Sequence, residues 1–232
     1  NRAIKKVAIL GSGIMGSRIA CHFANIGVQV LLLDIAPKEL NAEEQAKGLS
    51  LEHPSVKNRI VHTAFQQTIQ AKPASLYSSG FAKNIKLGNF DDNLSEIAQA
   101  DWIMEVVVEN LAIKKSLYDR VEQFRKPGTL VSSNTSGIPI HLMAEGRSED
   151  FQKHFCGTHF FNPPRYLRLL EIIPTAKTDP SIVDFHMHYG DVFLGKTTVL
   201  CKDTPAFIAN RIGVYAIISA MHTIEKMGLG VS

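Results

Sequence analysis

Between Ile4 and Asp34 the chain reads IKKVAILGSGIMGSRIACHFANIGVQVLLLD: a short apolar strand, a glycine turn, a helix and a second strand that closes on a carboxylate. Few folds accept that order. Val7 to Leu10 form an unbroken apolar run, as a strand buried on both faces requires. Gly11, Gly13 and Gly16 then satisfy G-x-G-x-x-G. In this pattern Gly11 permits the tight turn, Gly13 leaves room for a diphosphate against the backbone, and Gly16 lets the helix press on the sheet. The unpaired N–H groups and positive dipole end of that helix favour an anion, while Ile19, Phe23 and Ile26 give it a sheet-facing apolar stripe. Asp34 follows Gly16 by 18 positions. A carboxylate there can accept hydrogen bonds from ribose hydroxyls and would repel a 2′-phosphate, so the unit is read as a dinucleotide site that favours NAD over NADP. The competing reading, a glycine-rich turn without a ligand, leaves the agreement of strand, helix, second strand and terminal acid unaccounted for.

With 232 residues, 45% hydrophobic and 20% charged, the chain can bury a sizeable core in one to two domains. Its formal charge of +3 is spread out, with only short pairs such as Lys5/Lys6 and Lys114/Lys115, which argues against nucleic acid or a membrane surface as partner. Cys21, Cys156 and Cys201 are odd in number, widely spaced and set among apolar residues. They read as core residues of a protein in a reducing compartment, the cytoplasm, and neither as a disulfide framework nor as a metal site. No apolar run is long enough to span a bilayer, and no charged leader precedes an apolar signal region. The start at Asn1, without Met, reads as processed or trimmed.

Beyond Asp34 the pattern predicts an arm of helices, Glu39 to Gly48 and Val56 to Ala71, punctuated by Pro54 and Pro73. A short strand is expected at Ile85 to Leu87, followed by the polar run Asn89 to Asn93 before the sheet resumes. Trp102 to Val108, Thr129 to Ser132, Cys156 to Phe161 and Leu167 to Ile173 read as further strands, with helices at Leu111 to Phe124 and Ser181 to Leu194. Such alternation predicts an α/β fold, a Rossmann-like, doubly wound and mostly parallel sheet, with Val199 to Cys201 as a possible edge strand. Thr204 and Pro205 read as the cap and first residue of a last helix reaching about Met227. That helix is apolar nearly all round, from Phe207 and Ile208 to Met221 and Ile224. Another protomer or a further helical domain is expected to cover it.

These motifs resemble the L-3-hydroxyacyl-CoA dehydrogenases of fatty-acid β-oxidation, over almost the whole chain. The resemblance is carried by GSGIMG at Gly11 to Gly16, VVVEN at Val106 to Asn110, SSNTSG at Ser132 to Gly137, GTHFFNP at Gly157 to Pro163, LLEII at Leu169 to Ile173 and KDTPAFIANR at Lys202 to Arg211. It implies oxidation of an L-3-hydroxyacyl-CoA by NAD with His159 and Glu171 as a catalytic dyad. It also implies a Rossmann domain over 1–202 with a helical insertion at about 39–92, and a helical C-terminal dimerisation domain begun by 203–232. The insertion looks closer to the dehydrogenase part of larger β-oxidation proteins than to the short, single-function members. By the same likeness Ser12, Ile14, Met15, Val108, Glu109 and Lys114 join the three glycines and Asp34 at the cofactor. Ser136 and Asn210 are implied at the substrate oxygen, Ser136 also near the nicotinamide, and Asn162 at the cofactor or in holding a turn.

The residue chemistry can be argued beside the likeness. Hydride loss from a secondary alcohol needs a base for the hydroxyl proton, and a neutral histidine at the end of a strand has a suitable pKa. Glu171 stands inside an apolar strand, where a lone carboxylate is costly and an adjacent imidazole would offset that cost. Each residue also has a structural reading. His159 could be a hydrogen-bonded core histidine, Ser136 a helix cap, Asn210 a solvent-facing amide, and Glu109 with Lys114 a solvated ion pair at a helix start. Lys47, Lys57 and Arg59 on the arm are candidates for the coenzyme A phosphates or members of a solvated face. Three functions remain open: the dehydrogenase, a non-catalytic NAD- and acyl-CoA-binding or crystallin-like module, and a dehydrogenase of small CoA-free 3-hydroxy acids.

Overall fold

The computed structural model, which describes residues 2–229, accounts for the unbroken apolar runs: the sheet they build is covered on both faces. Asn1 and residues 230–232 lie outside the described residues. In chain order come β1 (Lys6–Leu10), α1 (Ile14–Asn25), β2 (Gln29–Asp34), the arm helices α2 (Ala42–Ala46), α3 (Pro54–Lys57) and α4 (Arg59–Gln70), β3 (Ile85–Asn89) and α5 (Phe90–Asn93). There follow β4 (Trp102–Glu105), α6 (Leu111–Phe124), β5 (Leu130–Ser133), α7 (Ile140–Ala144), α8 (Glu149–Lys153), β6 (Phe155–Phe160), β7 (Leu169–Pro174), α9 (Pro180–Val192), β8 (Thr197–Leu200) and α10 (Ala209–Lys226). The eight strands lie in the order β3-β2-β1-β4-β5-β6-β7-β8. All neighbours are parallel except β6 and β7. Successive side chains along a strand feed opposite cores. Val7, Ile9, Val30, Leu32, Trp102 and Met104 join Phe23 and Tyr189 on one face, while Ala8, Leu10, Leu31, Leu33 and Ile103 join Leu117 and Val121 on the other. The strand order reverses between β1 and β4, so the crevice at their carboxyl ends is where a ligand is expected.

Several boundaries differ from the sequence reading, each for a local reason. The strand expected to run to Val108 stops at Glu105, whose carboxylate accepts the Val107 N–H at 2.7 Å and turns the chain. Glu39 to Gly48 yields only α2, started by a capping box between Asn41 and Glu44, and Val56 to Ala71 divides at Asn58 into α3 and α4. Asn89 to Asn93 holds a short helix, because the Asn89 side chain accepts the Asp91 and Asp92 N–H groups. The edge strand falls at Thr197–Leu200. Pro205 does not start the last helix. Ala206 and Phe207 take positive φ values of 62° and 48°, and the helix begins only at Ala209. Among the described residues none of α10 is buried, and Ile212, Tyr215 and Met221 are 64%, 74% and 60% exposed.

The three cysteines are free and buried, and burial pushes the thiols of Cys21 and Cys201 up to about 12. Two core histidines set an acid limit on stability. Burial, reinforced for His22 by the nearby Lys196 charge, pushes His22 and His186 down to about 4. The folded state holds each ring neutral, whereas the unfolded chain protonates near the ordinary value of 6.5. The stabilisation is therefore complete above that value and drains away as pH falls toward 4, by up to roughly 3 kcal/mol per histidine. Urea unfolding between neutral and acid pH should show that loss, and His186→Leu should lessen it. An identical pH profile in the variant would clear His186 of the effect.

Candidate functional site

At the carboxyl edge of the sheet the glycine turn follows β1. A Cβ on Gly16 would stand 1.8 Å from the Gly11 carbonyl oxygen, and one on Gly11, whose φ is +109°, would stand 2.5 Å from that of Val106. Both positions require glycine. At Gly13 nothing lies within 4 Å of an added Cβ, so the α1 amino terminus faces open space. Asp34, at the end of β2, accepts the Ser12 N–H and hydroxyl on Oδ2, each at 2.6 Å, and the Ile35 N–H on Oδ1 at 2.7 Å. The carboxylate is thereby fixed at the mouth of a cavity of about 440 Å³, walled by Ile35, Phe90, Val107, Ile113 and Leu117. Val108 also lines it, 64% exposed, while Ile14 stands exposed at the first position of α1 and Met15 packs on the core. A flat apolar slot with an acid at its rim suits an adenosine, so these residues fit NAD. Asp34→Ala should weaken NADH binding by roughly tenfold, the scale of a hydrogen bond to a charged group, and relax discrimination against NADPH. Titrating both nucleotides by fluorescence checks this, and an unchanged preference would remove Asp34 from the site.

On the other side of the switch point, β6 and β7 run antiparallel with His159 directly opposite Glu171. His159 Nδ1 lies 2.7 Å from Glu171 Oε2, and the two side chains are 5% and 1% exposed. The second oxygen of Glu171 accepts the N–H groups of Ile208 and Ala209, at 3.1 and 2.8 Å. This long-range cap explains why α10 starts there and why Pro205 is outside it: an acid at a helix amino terminus satisfies donors that the local cap would otherwise serve. The next residue, Asn210, directs its side-chain amide to the Ser136 carbonyl at 3.4 Å. His159, Glu171, Asn210 and Ser136 are thus linked in one chain of contacts.

Ser136 does not cap α7. Asp203 does, accepting the Ile140 and His141 N–H groups at 2.6 and 2.8 Å, and the exposed Ser136 hydroxyl makes no hydrogen bond among the described residues. The loop carrying Ser136 is held by Glu109, which accepts the N–H groups of Ser136 and Gly137 at 3.1 Å, that of Ile138 at 3.4 Å and the Thr135 hydroxyl. Burial opposes the charge of Glu109, yet Thr135, Lys114 and the loop N–H groups hold its carboxyl below the usual range. Lys114 is not half of a solvated pair. Its ammonium is buried, 2.7 Å from Glu105 and 3.4 Å from Glu109. Glu105 escaped the sequence reading, although an acid inside the apolar run WIMEVVV is the same signal that singled out Glu171. Asn134 was also passed over; its side chain accepts the Phe160 N–H at 2.9 Å and ties the β5 loop to β6 beside His159.

Asn162 is exposed and accepts Arg18 Nη1 at 2.7 Å across the glycine turn. On the arm, Lys47 pairs with Glu43 at 2.6 Å, Lys57 with Asp92 at 2.6 Å and Arg59 with Glu44 at 2.8 Å. Among the described residues no group of three metal-ligating side chains occurs, and no helix is long and apolar enough to cross a membrane.

Residues 6–204 match the protein family described as "3-hydroxyacyl-CoA dehydrogenase, NAD binding domain". A probable 3-hydroxyacyl-CoA dehydrogenase of Bacillus subtilis is 51% identical over 228 residues, covering 98% of this chain and 29% of that protein. One of Deinococcus radiodurans is 44% identical over 226 residues, covering 97% of this chain and 61% of its own. The chain therefore spans less than two thirds of either relative. The crystal structure of 3-hydroxybutyryl-CoA dehydrogenase from Escherichia coli K12 has a TM-score of 0.72 and 27% identity, covering 97% of this chain and 43% of that one.

Proposed function

Because the chain belongs to the NAD-binding family of the 3-hydroxyacyl-CoA dehydrogenases, we propose that it oxidises an L-3-hydroxyacyl-CoA to the 3-ketoacyl-CoA in fatty-acid β-oxidation. The observation that carries this reading is the buried contact between His159 Nδ1 and Glu171 Oε2 at 2.7 Å. A carboxylate accepts, so Nδ1 bears the proton and Nε2 keeps a free lone pair. Nε2 has no partner among the described residues and is not shut away from solvent. It is the base that takes the 3-hydroxyl proton, and Glu171 stabilises the imidazolium so formed. NAD held at the glycine turn and Asp34 would supply the acceptor for the hydride lost from C3, so that proton and hydride together leave the ketone. Ser136 and Asn210 act as donors to the reacting oxygen, and Glu109 holds the loop that carries Ser136. The cofactor residues are Gly11, Ser12, Gly13, Ile14, Met15, Gly16, Asp34, Val108, Glu109, Lys114, Ser136 and Asn162. Within the set Lys114 acts indirectly, through Glu105 and Glu109.

We assign 1–202 to the dinucleotide domain and the segment from 203 onward to the start of a helical domain, whose first helix is α10. The remainder of that domain, or a second copy of the protein, covers the apolar side chains of α10. The free buried cysteines suit the reducing cytoplasm.

Following NADH absorbance with acetoacetyl-CoA tests the reading in the reverse direction. Decay that requires both reactants is expected. Binding without turnover would favour a non-catalytic module, and equal activity on a CoA-free 3-hydroxy acid would remove the thioester. Glu171→Gln should lower turnover by about tenfold or more, the scale of one charge-assisted hydrogen bond, with NADH affinity unchanged. Equal losses in both would count against the dyad.

A further inference from the structure

The connection from β8 to α10 is strained where it passes His159 and Glu171. Ala206 and Phe207, two consecutive residues that carry a Cβ, lie in the left-handed region at φ 62° and 48°, a conformation that survives only where the surroundings impose it. Here they do. Asp203 ties the start of the segment to the Ile140 and His141 N–H groups of α7, the Phe207 N–H donates to the Thr204 carbonyl at 3.1 Å, and Glu171 accepts the next two N–H groups, those of Ile208 and Ala209. The turn so held sends the Phe207 ring inward. It is 2% exposed, the last buried residue among those described, and it belongs to the apolar cluster of Tyr118, Ile140, Ile173 and Cys201. Its centroid lies 5.8 Å from that of the His159 ring, and the Phe161 ring lies 4.5 Å from the same imidazole. Backbone strain of this kind collects at functional sites, where a side chain must be placed and cannot relax.

We propose that Phe207 is a positioning residue for the His159–Glu171 pair, a role that rests on the base assigned to His159 above. Its ring, with that of Phe161, closes off the imidazole and keeps water from the hydrogen bond between Nδ1 and Glu171, so that Nε2 is the one ring nitrogen left to meet substrate. A hydrogen bond kept dry in this way is stronger than one shared with water, and it holds the imidazole in one tautomer and one orientation. Glu171 secures both parts of the arrangement, the imidazole through Oε2 and the turn behind Phe207 through Oε1.

Nitrogen-15 NMR of histidine-labelled protein reads this bond through exchange of the Nδ1 proton with water, and NADH-linked turnover of acetoacetyl-CoA reads its use. In Phe207→Ala the proton should exchange at least tenfold faster than in the wild type, and kcat should fall about tenfold, the scale of one charge-assisted hydrogen bond, with the KM for NADH unchanged. Phe207→Leu, which keeps a large apolar side chain in the turn, should return most of both, and Phe207→Val should fall between, so the comparison stands even if alanine unfolds the chain. Variants that lose stability to urea but keep the wild-type exchange rate and kcat would make Phe207 an anchor of α10 alone and overturn the assignment. A wild type that does not turn over acetoacetyl-CoA would overturn the base assigned to His159, and this positioning role with it.

Discussion

Replacing His159 by alanine should lower the turnover of acetoacetyl-CoA with NADH by ~10²–10⁴, the range over which a positioned general acid or base contributes. In the reducing direction the proposed role of the protonated imidazole is to deliver its proton to the forming alkoxide, and alanine offers none. The variant also removes the imidazole that faces a fully buried carboxylate, so a loss of stability accompanies the loss of rate. Glu171 still accepts the Ile208 and Ala209 N–H groups, which limits that second effect. His159→Gln separates the two. Its amide can donate to Glu171 but cannot act as a base, so stability should recover more than turnover does. NADH affinity should hold in both variants, because His159 is not among the residues proposed to hold the cofactor. Turnover close to that of the wild type in either variant would remove His159 from the chemistry.

The parts of the fold that follow from near neighbours in sequence were readable from it. The glycine turn, the apolar runs on β1 and β2, and Asp34 at the end of β2 are set by steric and period-two rules acting within a few residues. Glu171 stood out because it interrupts an apolar strand with a carboxylate, and His159 because a histidine ends a strand inside the motif GTHFFNP. What the sequence concealed depends on contacts between distant residues. The start of α10 is the clearest case: Thr204 and Pro205 are good local signals, but Glu171, more than thirty positions earlier, supplies the cap. Likewise Asp203 rather than Ser136 caps α7. The antiparallel pairing of β6 and β7 had a signal that was not used. The connection from Phe161 to Arg168 is too short for a crossover, which takes a dozen or more residues, so the chain must turn straight back. That reversal is what sets the imidazole opposite the acid.

Glu105, by contrast, is legible as an acid inside an apolar run, and its replacement should produce the largest loss of stability. Its carboxylate is fully buried at the end of β4 and accepts four donors: Lys114 Nζ and the Val107 N–H on Oε1, both at 2.7 Å, and the Ser133 and Tyr118 hydroxyls on Oε2 at 2.6 and 3.1 Å. Burial first, and then the carboxylate beside it, raises the Tyr118 phenol well above its ordinary value, so it stays a donor. Glu105→Leu would leave the Lys114 ammonium inside the protein with only the more distant Glu109 to balance it. Breaking a buried pair from one side costs about 3–5 kcal/mol, a large fraction of the 5–15 kcal/mol that holds a typical domain together. Removing both charges in Glu105→Leu/Lys114→Met should restore much of the loss, because the second substitution removes the stranded ammonium. Urea unfolding of the two single variants and the double variant measures the coupling directly. The effect should reach the cofactor site too. The loop from Val106 to Val108 both lines the cavity beside Asp34 and packs against Gly11, so NADH binding should weaken in Glu105→Leu and recover with stability in the double variant. Strictly additive losses would show instead that Lys114 does not depend on Glu105 and that other groups hold the β4 loop in place.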